Sequence, residues 1–542
     1  MAERSAHVAS SGAVEKFELV DWLAVAVLFA VSLGIRVPFR SHFAYHWDSA
    51  QFALAIEHFN VSLSLPHRPG YFLFVMLGRM VNLFVGDPLT SLLWLNMVAG
   101  AGLAALGYLL GAALFERNCG WLTGGILATS PLCWFQSEVV FTTLVDSALV
   151  MTTVLVCWRA IRRGGSWPWV FAMAATLAVE AGIRQQTTPM LCPVWAYTFW
   201  RFPRLRWQKF AVGVVLTGLL CAAWFFPMVQ PSGGTVAYLR LYPARINMDA
   251  PLTPWVGGFG VLIRNLAFIV ATCWVGLLGA ALLAATEFYS WATRAGNRRA
   301  AIKSRNEPLR FLAVWILPMV TFGIVVITVM PGYVLCYFPG VAILVALAIT
   351  RFVERIARVL GCSRSFALGI VIAGIALINC AVFLLPAQRT EWLRAKLPLT
   401  ASHIRDHDHQ LAVWFDAIRK NFRPSDVLVC HYNQSYFYGF RQFEYHMPDY
   451  ENCLLTTDHA LPPPLNKKLW YATGRRVEFV DRFELHGRRQ VILVVPPGLT
   501  IDAFTNAFDV MTARKWEIPD SLPLYVITPT TEWSASIRSG AN

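Results

Sequence analysis

The sequence predicts a polytopic α-helical membrane protein of about eleven spans, ending in a soluble α/β domain. Three observations carry that expectation. Hydrophobic residues make up 56% of the chain and charged residues only 14%, with a mean hydropathy of +0.49; soluble domains sit near a quarter charged. The apolar residues come in blocks of roughly 18 to 25, the length that crosses a hydrocarbon core of about 30 Å. Beyond residue 387 the character changes, with more charge and short β-branched runs.

Taken in order, residues 1–19 form a polar tail of mixed charge. No small-residue cleavage site follows the first apolar run, so that run reads as a retained span rather than a removed signal. The expected spans cover 20–38, 88–114, 119–135, 139–160, 167–183, 188–200, 210–229, 258–288, 310–330, 333–352 and 366–387, giving a transmembrane domain over 20–387. With the N-terminus in the cytoplasm, the inner loops hold Arg117, then Arg159 with Arg162 and Arg163, then Arg201, Arg204, Arg206 and Lys209. Residues 294–310 and 351–364 continue the series, while the outer loops are poorer in basic residues, as the positive-inside rule requires. The pattern holds if Tyr71 to Val85, a short block carrying Arg79, lies along the outer surface instead of crossing. An odd number of spans then places 388–542 outside, in the extracytoplasmic space of an inner or plasma membrane.

In that last segment a helix is expected around 407–421, with strands at 426–430, 490–495 and 524–527. Cys430 and Cys453 are the two cysteines of the eleven that fall there; in an oxidising compartment they could pair. The net charge of +14 is loop charge of the topological kind, so nucleic acid is not an expected partner. No Walker loop, GxGxxG, HExxH or GxSxG stands in a suitable context, and no nucleotide cofactor is expected.

The first outer loop, 39–87, is the richest in chemistry. Asp48 follows the first span by about ten residues, among aromatic groups, where a carboxylate is costly unless paired, ligand-bound or used in proton transfer. The plain alternative is a solvated aspartate capping the next helix. Asp146 lies inside an apolar block, which by default marks a functional site, with an interhelical salt bridge as the alternative. Glu138 stands at the mouth of the same block and competes for that role. Arg184, Arg240 and Arg245 lie in outer turns, and a guanidinium there suits a lipid-linked phosphate; headgroup contact is the simpler reading.

These residues resemble the GT-C superfamily of membrane glycosyltransferases, in particular the protein O-mannosyltransferase and aminoarabinose transferase branch (glycosyltransferase family 39-like). Asp48 is followed by Pro66-His67-Arg68-Pro69-Gly70-Tyr71, which looks like the family's His-Pro-Pro loop. Ser130-Pro131-Leu132 leads to Asp146, similar to its second acidic site, and Gly332 to Pro339 looks like its Tyr-x-x-Pro-x-x-Pro stretch. The likeness spans most of 20–390 and is most specific before residue 185. Two departures matter: Asp48-Ser49 replaces an Asp-Glu pair, removing the second carboxylate of a paired-acid or metal role, and Arg68 replaces the first proline.

The resemblance implies a sugar carried on a polyprenyl phosphate or diphosphate, entering from the bilayer, and a glycan, lipid or protein acceptor arriving from outside. Asp48 would be the general base of an inverting displacement, Asp146 would orient the acceptor or Asp48, and Arg184, with His67, Arg68 and Arg245, would meet donor phosphate. A divalent cation is left open. Two other classes compete: a lipid or lipid-linked-sugar transporter, which would show inverted repeats with broken helices near the midplane, and a non-catalytic scaffold.

Overall fold

The computed structural model describes residues 16–240, 252–293, 306–326, 328, 330–385, 397, 399–432, 435–457, 469–473, 476–480, 482–484, 490–495, 514–527 and 534–536. Apolar runs become helices because the chain in a bilayer must satisfy its own backbone. In order these are α1 (Leu19–Arg36), α2 (Trp47–Glu57), α3 (Phe72–Val85), α4 (Pro88–Leu114), α5 (Arg117–Thr129), α6 (Pro131–Glu138), α7 (Thr143–Arg162), α8 (Trp167–Ile183), α9 (Thr188–Trp200), α10 (Arg206–Val229) and α11 (Gly234–Arg240). Then come α12 (Pro254–Thr293), α13 (Asn306–Val325), α14 (Phe338–Leu360) and α15 (Arg364–Leu384).

Among the described residues seven helices are long and apolar enough to cross a membrane: α1, α4, α7, α10, α12, α13 and α15. The four other expected spans take different forms. The block 119–135 is broken into α5 and α6 at Ser130-Pro131, where a proline opens the second helix. α8 has 17 residues and α9 only 13. The block 333–352 begins as a 3₁₀ turn, Pro331–Cys336, and its helix α14 runs on past Arg351, Glu354, Arg355 and Arg358. α3 is a 14-residue helix that buries Phe74, Val75 and Gly78.

Ion pairs gather at one end of the bundle. Arg117 binds Glu18 and the buried Asp21, and Tyr108 donates to Asp21 from α4. Arg364 reaches Glu116 and Glu354, Arg355 reaches Glu287, and Arg201 reaches Glu307. The loops that carry these groups are those the sequence assigns to the cytoplasm.

The opposite end is closed by an α/β layer. Helix α16 (Ala401–Asn421) lies against a seven-stranded sheet of order β4-β3-β2-β1-β6-β8-β7. Its strands are β1 (Val427–Tyr432), β2 (Glu451–Thr457), β3 (Leu469–Thr473), β4 (Arg476–Val480), β6 (Gln490–Val494), β7 (Arg514–Trp516) and β8 (Leu524–Ile527). β1 is parallel to β2 and β6, and every other pairing is antiparallel. A separate two-stranded ribbon joins β5 (Arg482–Glu484) to β9 (Ser534–Ser536). The expected helix and three strands are α16, β1, β6 and β8. Trp414, Phe415, Val427, Val429 and Ile492 form the core of the layer. Cys430 and Cys453 face each other in register on β1 and β2 as free thiols.

Candidate active site

Asp48 owes its position to a histidine cap. His46 Nδ1 accepts the Asp48 N–H at 3.1 Å and Ser49 Oγ accepts the His46 N–H at 3.2 Å, so the first turn of α2 is closed without the aspartate. The Asp48 carboxylate, 24% exposed, turns instead to His67 Nδ1 at 3.3 Å and His46 Nδ1 at 3.5 Å. His67 Nδ1 also lies 2.9 Å from Gln51 Oε1, which fixes its proton on that nitrogen. Gln51 sits three residues along α2, on the same face as Asp48. Burial pushes His46 down to about 4, so it serves as a neutral acceptor.

The loop 66–71 is held by contacts on both sides. Tyr238 donates to the Pro69 carbonyl at 3.0 Å. Gly70 has φ +109° with the Met228 sulfur 2.9 Å from where a Cβ would stand, so a side chain there would be both strained and crowded. Tyr71, at φ +43°, turns its ring against His67 and Phe52. Burial pushes its hydroxyl up to about 12, with Arg184, Tyr333, Gln186 and Asp48 among the groups whose charge or polarity it feels.

Through Tyr71 the loop meets the second half of the site. The helix α7 starts at Thr143 rather than at 139, which puts Asp146 in its first turn, 1% exposed. Thr187 donates to Asp146 Oδ2 at 3.1 Å, and Arg184 Nη1 lies 3.7 Å from the same oxygen. The guanidinium packs over the Tyr333 ring at 4.8 Å. Glu180, one turn before Arg184 on α8, is fully buried beside Asp146 and accepts from Thr188 at 2.7 Å. Asp146 Oδ1, Glu180 Oε1, Arg184 Nε and Gln185 Oε1 are all buried without a hydrogen-bond partner. Buried polar atoms left open on neighbouring residues suit a place that receives a polar group, or two carboxyls that share a proton.

The structure thus brings Asp48, His67, Asp146 and Arg184 together. It does not bring Glu138 to them: residues 139–142 leave the helix, and its carboxylate lies near Arg36 and Arg40 instead. Arg68 is half-buried in the same loop as His67, Arg240 ends α11, and Arg245 lies outside the described residues. Sequence reasoning missed Glu180, Gln51, Tyr333 and the capping role of His46. Helical spacing pointed to the first two, since Gln51 follows Asp48 by three positions and Glu180 precedes Arg184 by four. Among the described residues no group of three His, Cys, Asp or Glu side chains is arranged to hold a metal ion.

The α/β layer sits on the first loop. Asp408 accepts from Ser41 Oγ at 2.7 Å and from the His42 N–H at 2.6 Å, and His446 Nε2 accepts the Ala44 N–H at 2.9 Å. Arg441 donates to the Leu63 carbonyl at 3.0 Å, and Trp47 donates to the Tyr436 carbonyl. The side opposite the ion-paired loops is therefore roofed by residues 401–457.

A helical bundle with an α/β layer at one end is an architecture already seen in a solved structure, and the likeness is one of fold. The chain is similar to ArnT from Cupriavidus metallidurans in the apo state, with a TM-score of 0.54 and 13% identity over 93% of this chain and 97% of that one. The same protein bound to undecaprenyl phosphate matches with a TM-score of 0.54 and 13% identity over 95% and 99%. No family model matches the sequence, and no curated protein does.

Proposed function

We propose that the protein is a membrane glycosyltransferase that moves a sugar from a polyprenyl-phosphate carrier to an acceptor outside the cytoplasm. The observation that carries this is a partly exposed carboxylate (Asp48) paired with His67, with Tyr71 packed on that histidine and feeling the charge of both Asp48 and the buried Arg184, which sits beside Asp146. The ArnT-like fold supports the same reading. The cluster of ion pairs at the far end supports eleven crossings with residues 1–19 and the basic loops inside, and with the roof, 388–542, on the outer face.

In the proposed reaction Asp48 takes the proton of an acceptor hydroxyl or amine as that atom attacks the anomeric carbon. The bond from that carbon to the carrier phosphate oxygen breaks, its electron pair leaves with the phosphate, and configuration inverts. His67 Nδ1–H holds the carboxylate in place, while His46 fixes the backbone at Asp48 by accepting its N–H. The Arg184 guanidinium, stacked on Tyr333 and only loosely paired with Asp146, takes the developing phosphate charge, assisted by His67, Arg68 and Arg245. A transferase of this kind draws its driving force from the activated carrier and uses no nucleotide.

The test is transfer in proteoliposomes, with a panel of radiolabelled polyprenyl-phosphate sugars offered to the parent protein and Asp48→Asn. Label should leave the lipid with the parent, and the variant should lose about 10²–10⁴-fold. Its stability should change little, because the His46 cap stays and the Asp48 contacts are long. Equal turnover by both would remove Asp48 as base. Intact lipid crossing between leaflets without label transfer would replace the enzyme with a transporter.

A further inference from the structure

The loop between β1 and α17 (Phe440–His446) carries two rings over the Asp48 helix. The Tyr436 ring lies parallel to His46, 1° between planes with centroids 5.4 Å apart, and is 52% exposed. Phe437 stands edge-on to His46 at 76° and 5.3 Å, packs against Tyr45 and is 36% exposed. The two rings form an open corner on the histidine that caps α2. Asp48 follows that histidine by two residues, with its carboxylate 3.5 Å from His46 Nδ1.

The corner is rigid. A Cβ on Gly439 would stand 2.2 Å from the Ser435 carbonyl oxygen, so the turn closes only with glycine. The loop's backbone is already engaged: the Tyr436 carbonyl accepts from Trp47 and Gln442, the Phe437 carbonyl bonds to His407 Nε2, and the Tyr438 N–H donates to Ser435.

We propose that Tyr436 and Phe437 form the wall of an acceptor subsite that takes a saccharide ring, so that the α/β layer selects the acceptor. This rests on the transferase reading. A pyranose offers a C–H face to an aromatic ring and a rim of hydroxyls to polar groups, which matches an exposed aromatic corner on the histidine that neighbours a partly exposed carboxylate, Asp48. A peptide would need free backbone partners, and these loop carbonyls are taken. An alkyl chain would fill the corner but leave the neighbouring carboxylate without a hydroxyl to accept from.

The experiment uses the full chain in lipid nanodiscs, with methyl hexopyranosides and methyl pentopyranosides as probes, read by ligand-observed saturation-transfer NMR. At least one probe should bind the parent protein. Tyr436→Ala and Phe437→Ala should weaken it about tenfold, and Tyr436→Phe, which keeps the ring, should restore it. No binding by the parent, or equal binding by Tyr436→Ala, would overturn the subsite. In the same preparation, transfer from labelled polyprenyl-phosphate sugars to a saccharide should show Tyr436→Ala raising the acceptor's half-saturation about tenfold and the donor's by less than threefold. Label recovered on peptide, or donor and acceptor shifted alike, would also overturn it. Saccharide binding that depends on Tyr436, in a protein that releases no label, would keep the subsite and remove the transferase reading.

Discussion

Replacing Arg184 with glutamine should reveal how far one guanidinium organises the buried half of the site. Its Nη1 lies 3.7 Å from Asp146 Oδ2. At an effective dielectric of about 20 such a pair attracts by about 4.5 kcal/mol before desolvation is subtracted. Losing one partner of a buried pair costs about 3–5 kcal/mol, because the other charge is stranded. Here Asp146 would keep the Thr187 hydroxyl at 3.1 Å and face Glu180. Arg184→Gln should therefore lower the thermal midpoint of the full chain in detergent, followed by tryptophan fluorescence. Adding Asp146→Asn should recover most of that loss, since no carboxylate is then stranded on Oδ2. The double-mutant cycle should give a coupling of about 3 kcal/mol, the larger part of the single loss. Single effects that add to within about 0.5 kcal/mol would refute the pair as an organising contact. Transfer supplies a second axis. The double variant should regain stability without activity, and recovery of both would mean that Arg184 serves Asp146 and not the donor phosphate.

Three further outcomes follow from the same contacts. His46→Ala should cost about 1 kcal/mol in the thermal midpoint through loss of the α2 cap and should reduce transfer, while His46→Asn, also a good cap, should recover the stability. Asp408→Ala removes the acceptor of both Ser41 Oγ and the His42 N–H, so limited proteolysis should cut the first loop sooner, with a loss of roughly 2 kcal/mol. His46 and His446 are both pushed down to about 4 by burial, against an ordinary value of 6.5. The unfolded chain therefore binds more protons than the folded one between those values, and stability should be full above pH 6.5 and fall as pH drops toward 4. A thermal midpoint independent of pH across that window in the parent protein would show that these histidines are not held neutral.

Much of the architecture was legible because bilayers impose a length. An apolar run near 20 residues has few alternatives, and α1, α4, α7, α10, α12, α13 and α15 lie where such runs stand. The break at Ser130-Pro131 was also written in the chain, as a proline that opens a helix. Asp48, Asp146 and Arg184 stood out because a charge at the edge of an apolar block needs a reason. Glu180 has the same character, yet its importance depends on α7 and α8 packing so that Asp146 and Glu180 meet. The sequence set Glu138 beside Asp146, but four non-helical residues turn it toward Arg36. β2 and β4 escaped notice because charged and polar residues interrupt them, and the ladder β1-β2-β3-β4 supplies what local pattern does not. The meeting of His46 with Tyr436 carries no local signal at all.

The two carboxylates in the site are placed in opposite environments, and the proposed reaction needs that division. A base that receives a proton from an acceptor must be reached from water, and Asp48 retains 24% exposure on a helix whose cap is made by another residue. A group that holds a leaving phosphate works best where the dielectric is low, and Arg184 is packed against Tyr333 beside an aspartate that is 1% exposed. Tyr71 feels the charge of both, and it stays protonated because burial pushes it up to about 12. Its φ of +43° is a conformation L residues rarely adopt, and the loop holds it there. A loop of ordinary geometry would leave the exposed carboxylate and the buried arginine as two unrelated charges, whereas this one makes them neighbours across a single ring.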